Sequence, residues 1–192
     1  MRIGLFGGSF NPIHLGHTRL GEALCRSGLI EELWFLVSPL NPLKQTSAAE
    51  LLPDAERLHL ARLAVEGKSH LQVSDFEMHL PRPSYLVRTL ERLRKTYPTD
   101  EFLLVIGADN WLRFPQWKDS DEILRHHNIL VYPRTGFDID PQTLPPGVHL
   151  VNTPLLDISS TQIRQAIRHG HYHGRGLSKA VWQAIKQNNY YK

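Results

Sequence analysis

Cysteine is almost missing from this sequence: of 192 residues only Cys25 carries a thiol. No disulfide framework can be built from one cysteine, which excludes the bridge-stapled secreted domains and makes the cytoplasm the expected compartment. Long apolar runs are missing too. None approaches the roughly 18 to 20 residues that a membrane-spanning helix needs, and Met1 to Phe6 reads as a first strand rather than as a secretory signal. Charge of one sign is in small excess only. A formal net charge of +3 favours anionic partners but is too weak to argue for nucleic acid. Small phosphorylated ligands are therefore expected, with neither nucleic acid nor a membrane as partner. Three sequence patterns are also not found: G-x-G-x-x-G, G-x-x-x-x-G-K-[ST] and G-x-S-x-G. A bound dinucleotide cofactor, a P-loop and a serine nucleophile on a strand-to-helix elbow are accordingly disfavoured.

What is present is a regular alternation. Arg2 to Phe6, Glu32 to Val37, Leu71 to Ser74, Glu101 to Ile106, Asn128 to Tyr132 and His149 to Val151 read as strands. Helical patterns lie between them. In Tyr85 to Tyr97 the apolar Leu86, Leu90, Leu93 and Tyr97 recur at helical spacing while the charged residues take other faces. Asp54 to Glu66 has a stripe through Leu58, Ala61 and Val65, and Gly67 is its stop signal. The pattern predicts an α/β fold, one domain over residues 1–192, built as a doubly wound parallel sheet of Rossmann-like kind. Two further helices, Ser160 to Arg168 and Ser178 to Asn188, follow the last strand. Ligands of such sheets bind at the carboxyl ends of the strands.

The first of those ends reads "FGGSFNPIHLGH", Phe6 to His17. Gly7 and Gly8 predict a tight turn that brings backbone close to a ligand, Asn11-Pro12 a bend, and a helix starts near Gly16. Its free N–H groups and positive dipole end make a phosphate seat, with His14 and His17 as donors. Taken alone, two histidines could equally cap a turn. Three distant features weigh against that. In "ISSTQIRQAIRHG", Ser159, Ser160 and Thr161 open a helix with Arg164 one turn in, which is a second anion seat. In "VIGADN" a strand runs into Gly107 and Asp109, an acceptor suited to ribose hydroxyls. Lys44, after the second strand, is placed to lean over the same edge as a mobile cation.

His14-Leu15-Gly16-His17 and Ile158 to Arg164 together resemble the HxGH and ISSTxIR signatures of the nucleotidyltransferases. Within them the chain is similar, over nearly its whole length, to the bacterial nicotinate-nucleotide adenylyltransferases. The resemblance implies an enzyme that transfers adenylyl from ATP to nicotinate mononucleotide and releases pyrophosphate, in NAD biosynthesis. It implies catalytic roles for His14, His17, Lys44 and Arg164, and ATP contacts from Gly7, Gly8, Ser9, Phe10, Gly107, Asp109, Ser159, Ser160 and Thr161. It also implies mononucleotide contacts from Ser84, Tyr85, Trp117 and Arg134, with Trp117 stacked on the pyridine and the "SYLVRTL" helix start facing its carboxylate. Mg²⁺ would come with ATP and no protein-built metal site is expected; in "HGHYHG", His169 to Gly174, the histidines form no ordered ligand set. Asn11 stands where many members of the family have Asp, Leu86 where many have Thr, and the Pro that often precedes the final helix is missing. Transfer to nicotinamide mononucleotide or to phosphopantetheine, or nucleotide binding without turnover, remain open alternatives.

Overall fold

The computed structural model describes residues 1–39, 51–153 and 158–192. Six strands form one parallel sheet: β1 (Arg2–Gly8), β2 (Glu32–Val37), β3 (Leu71–Ser74), β4 (Glu101–Gly107), β5 (Ile129–Tyr132) and β6 (Val148–Leu150). Their order across the sheet is β3-β2-β1-β4-β5-β6. Central strands of a parallel sheet are covered on both faces and read as continuous apolar runs. In β4, Phe102, Leu103, Leu104, Val105 and Ile106 are all buried.

Two cores result, one on each face. On one, Phe6, Leu33, Phe35, Leu103, Val105 and Leu130 meet α1 (Leu15–Arg26), α2 (Asp54–Val65), α6 (Ser160–Arg168) and α7 (Lys179–Gln187). On the other, Ile3, Leu5, Leu36, Leu104, Ile106 and Val131 meet α3 (Leu86–Thr96) and α5 (Ser120–His126). A short α4 (Ala108–Trp111) follows β4 directly. The chain builds outward from β1 through β2 to β3, then crosses back to place β4 on the other side of β1. The strand order therefore reverses between β1 and β4, and the crevice beyond their carboxyl ends is where such sheets bind ligands.

Candidate active site

β1 runs extended through Gly7 and Gly8, so the tight turn expected at these glycines falls later, where Phe10 has φ 45° and the Asn11–Pro12 peptide is cis. The physical reason is ladder pairing, since Gly7 and Gly8 still pair with Leu36 and Val37 of β2. The glycines leave bare backbone at the sheet edge: a Cβ at Gly7 would enter open space, and one at Gly8 would meet the Phe10 ring at 3.1 Å.

Side chains from far along the sequence hold the turn that follows. Asn11 is buried, and its Oδ1 accepts hydrogen bonds from the Leu52 amide (3.2 Å) and the Tyr191 hydroxyl (2.8 Å). Through this oxygen Asn11 braces the turn. The Asn11 carbonyl accepts from Arg164 Nη1 at 2.9 Å and the Pro12 carbonyl from Ser160 Oγ at 2.9 Å. Two of the residues expected at the ATP phosphates thus fasten the end of α6 to the turn. Ser159, the residue before α6, lines the cleft itself, and Thr161 is exposed.

At the start of α1 the His14 N–H donates to His17 Nδ1 at 3.1 Å, which leaves the proton of a neutral His17 ring on Nε2. The two rings stack with centroids 3.6 Å apart and planes 19° apart. Phe6 and Phe10 meet His17 edge-on at 5.7 and 5.1 Å. The glycine between the histidines is required by this stack, because a Cβ at Gly16 would lie 2.9 Å from the His14 ring. His14 is 6% exposed and its Nδ1 has no hydrogen-bond partner. Burial first, and the nearby Arg134 cation second, push its pKa down to about 4. The ring is therefore neutral at pH 7.

A cleft of about 140 Å³ opens beside these rings, lined among others by His14, His17, Tyr132, Arg134, Thr153 and Ser159. None of its described lining residues is acidic. Arg134 and the amino ends of α1 and α6 give it positive potential. Asp109 stands in α4 just past β4, with Oδ1 3.6 Å from Arg134 Nε and no hydrogen bond of its own. Gly107 makes room for it, since a Cβ there would come within 2.4 Å of that oxygen.

Trp117 lies in a second cavity of about 370 Å³, with Val87 in the first turn of α3 and Asp119, Asp121, Glu122 and Arg125 around it. Its ring tilts against Phe114 at 5.3 Å, and its buried Nε1 has no partner. Ser84 is buried and Tyr85 is the residue before α3. The expected residues thus divide between two hollows at the same end of the sheet: the histidines, Ser159 and Arg134 in one, Trp117 and the start of α3 at the other. Lys44 lies outside the described residues.

Sequence reasoning missed two residues here. Arg57 is fully buried and binds the Ser9 carbonyl at 2.6 Å, and Tyr191 reaches Asn11 from 180 residues further along the sequence. The available signal for Arg57 was a charge beside Leu58 on the buried side of α2. In the histidine-rich loop, Tyr172 donates to the Arg175 carbonyl at 2.6 Å and the Gly176 carbonyl accepts from the Leu15 amide at 2.8 Å. The loop packs on the start of α1, and among the described residues no group of three or more His, Cys, Asp or Glu side chains could hold a metal.

The cytidylyltransferase-like family model matches residues 5–166. A protein of Bacteroides fragilis named "Probable nicotinate-nucleotide adenylyltransferase" is 49% identical over 97% of this chain and 92% of its own length. One of Flavobacterium johnsoniae with the same name is 40% identical over 100% of both. Among solved structures, the Plasmodium falciparum nicotinic acid mononucleotide adenylyltransferase complexed with NaAD superposes with a TM-score of 0.82 at 20% identity, covering 99% of this chain and 97% of that one; it supports the fold. The chain belongs to the nicotinate-nucleotide adenylyltransferase family, within the cytidylyltransferase-like proteins.

Proposed function

We infer that the chain transfers the adenylyl group of ATP to nicotinate mononucleotide, giving the deamido dinucleotide and pyrophosphate in NAD biosynthesis. Relatives at 40 to 49% identity carry the name of this activity. The observation that carries the chemistry is the cleft at the β1–β4 reversal, which has two stacked histidines, Arg134 and two helix amino ends and no acidic side chain among its described lining residues.

The attacking group is the phosphate of the mononucleotide, largely dianionic at neutral pH because its second pKa is near 6. It needs no general base. One of its oxygens forms a bond to the α-phosphorus of ATP as the bond from that phosphorus to the β-bridging oxygen breaks, and the electron pair leaves on pyrophosphate. Catalysis then consists of alignment and of stabilising negative charge on the α-phosphate and the leaving group. His17 donates from Nε2, and neutral His14 offers its ring N–H. Arg134 supplies full positive charge, and the amino ends of α1 and α6 supply N–H groups. Arg164 and Ser160 act through the Asn11–Pro12 turn that they brace. Asp109 takes the adenosine ribose, which requires it to exchange its contact with Arg134 for the sugar hydroxyls.

Magnesium would enter with ATP and would supply neutralising charge on the triphosphate. Trp117 gives the pyridine an aromatic face, and the amides at the start of α3 favour a carboxylate over an amide. A reaction fed by ATP, in a chain with one cysteine, suits the cytoplasm. ATP labelled at the α-phosphorus tests the reading. The label should appear in a dinucleotide and none in pyrophosphate; label left in ATP, or released as AMP, would overturn it.

A further inference from the structure

We propose that Arg57 is a positioning residue that, through Asp54 and Arg82, ties the turn after β1 to the segment leading into α3, so that both substrate-binding hollows are set together. The proposal rests on the adenylyl-transfer reading above. A guanidinium has five N–H donors in a fixed plane, and all five of Arg57 are used. Nε donates to the Leu52 carbonyl at 3.0 Å, Nη1 to the Ser9 and Ser38 carbonyls at 2.6 and 2.8 Å, and Nη2 to the Pro39 carbonyl at 3.4 Å and Asp54 Oδ1 at 2.6 Å. The side chain has no exposed surface.

These acceptors are not spread at random. Ser9 begins the turn that carries the histidines, and Ser38 and Pro39 leave β2. Arg57 therefore fastens two adjacent strand ends, whose backbones also meet where the Ser38 amide donates to the Gly8 carbonyl at 2.9 Å. The second carboxylate oxygen of Asp54 accepts from Arg82 Nη2 at 2.8 Å, two residues before Ser84. One carboxylate thus joins a buried arginine under the phosphate turn to an exposed arginine ahead of α3. A lysine has three donors on one point and could not replace the fork.

The test is steady-state kinetics of Arg57→Lys, Asp54→Asn and Arg82→Ala, with KM for each substrate separated from kcat, beside thermal midpoints and amide hydrogen exchange. Arg82→Ala, whose side chain is 57% exposed, should fold normally and raise KM for the mononucleotide at least threefold with KM for ATP unchanged. Asp54→Asn should raise both, and Arg57→Lys should lower kcat at least tenfold at temperatures well below its midpoint. Exchange at Leu52 and Ser38 should quicken in Asp54→Asn. If Arg82→Ala and Asp54→Asn keep wild-type KM, kcat and exchange, the relay is overturned, even should Arg57→Lys fail to fold. Wild-type protein without turnover would instead sink the adenylyl-transfer reading, and the exchange rates would still decide the relay.

Discussion

Replacing His14 by Asn should remove a specific part of the acid sensitivity of this protein. In the fold the His14 ring has a pKa of about 4, against an ordinary value of 6.5. Between those values the unfolded chain binds a proton that the folded chain refuses, so stability falls as pH falls from 6.5 and levels off below about 4. With the ring almost fully buried, little solvent screening reduces the effect. The linkage amounts to about 3 kcal/mol lost at pH 4 and only about 0.2 kcal/mol at pH 7. Urea unfolding of both proteins at half-unit steps from pH 7 to pH 4 measures it. Other groups titrate in both proteins and cancel in the difference. The wild-type curve should fall below the variant's by about 3 kcal/mol over that range; parallel curves would refute the argument that burial keeps His14 neutral. Pyrophosphate at saturation should also raise the His14 pKa, followed by its ring proton in NMR, because the buried Nδ1 and the cleft side of the ring would then face an anion.

Other substitutions separate the parts of the site. His17→Ala should lower turnover about a hundredfold, near 3 kcal/mol of lost transition-state stabilisation, with the circular dichroism spectrum unchanged; near wild-type turnover would remove His17 from the mechanism. Gly107→Ala puts a Cβ against Asp109 Oδ1 and the Tyr132 ring, so KM for ATP should rise about tenfold, about 1.4 kcal/mol, while KM for the mononucleotide stays. The reverse pattern is expected for Trp117→Ala, with KM for the mononucleotide raised about tenfold, within the roughly 0.5 to 1.5 kcal/mol of an aromatic contact; an effect on ATP alone would place the pyridine elsewhere.

Much of this was legible in the sequence because a parallel sheet writes its central strands as apolar runs. All six strands begin and end within two residues of where those runs do. The pairing of His14 with His17 across Gly16 was visible as a motif, and its physical cause, ring stacking over a missing Cβ, was not. Gly7 and Gly8 read as a turn because glycine is rare in strands, yet ladder pairing with β2 keeps them extended. Arg57 belongs to no motif in the sequence. Its meaning lies in carbonyls 18 and 48 residues away, which no local pattern encodes. The same holds for Tyr191, whose partner Asn11 is 180 residues distant.

The account stands most directly on the choice of acceptor. Pyrophosphate release should be measured with ATP and Mg²⁺, offering nicotinate mononucleotide, nicotinamide mononucleotide and phosphopantetheine in parallel. The account predicts release with the first at a kcat/KM at least a hundredfold above the other two. Preference for phosphopantetheine, or release with none of the three, would contradict it.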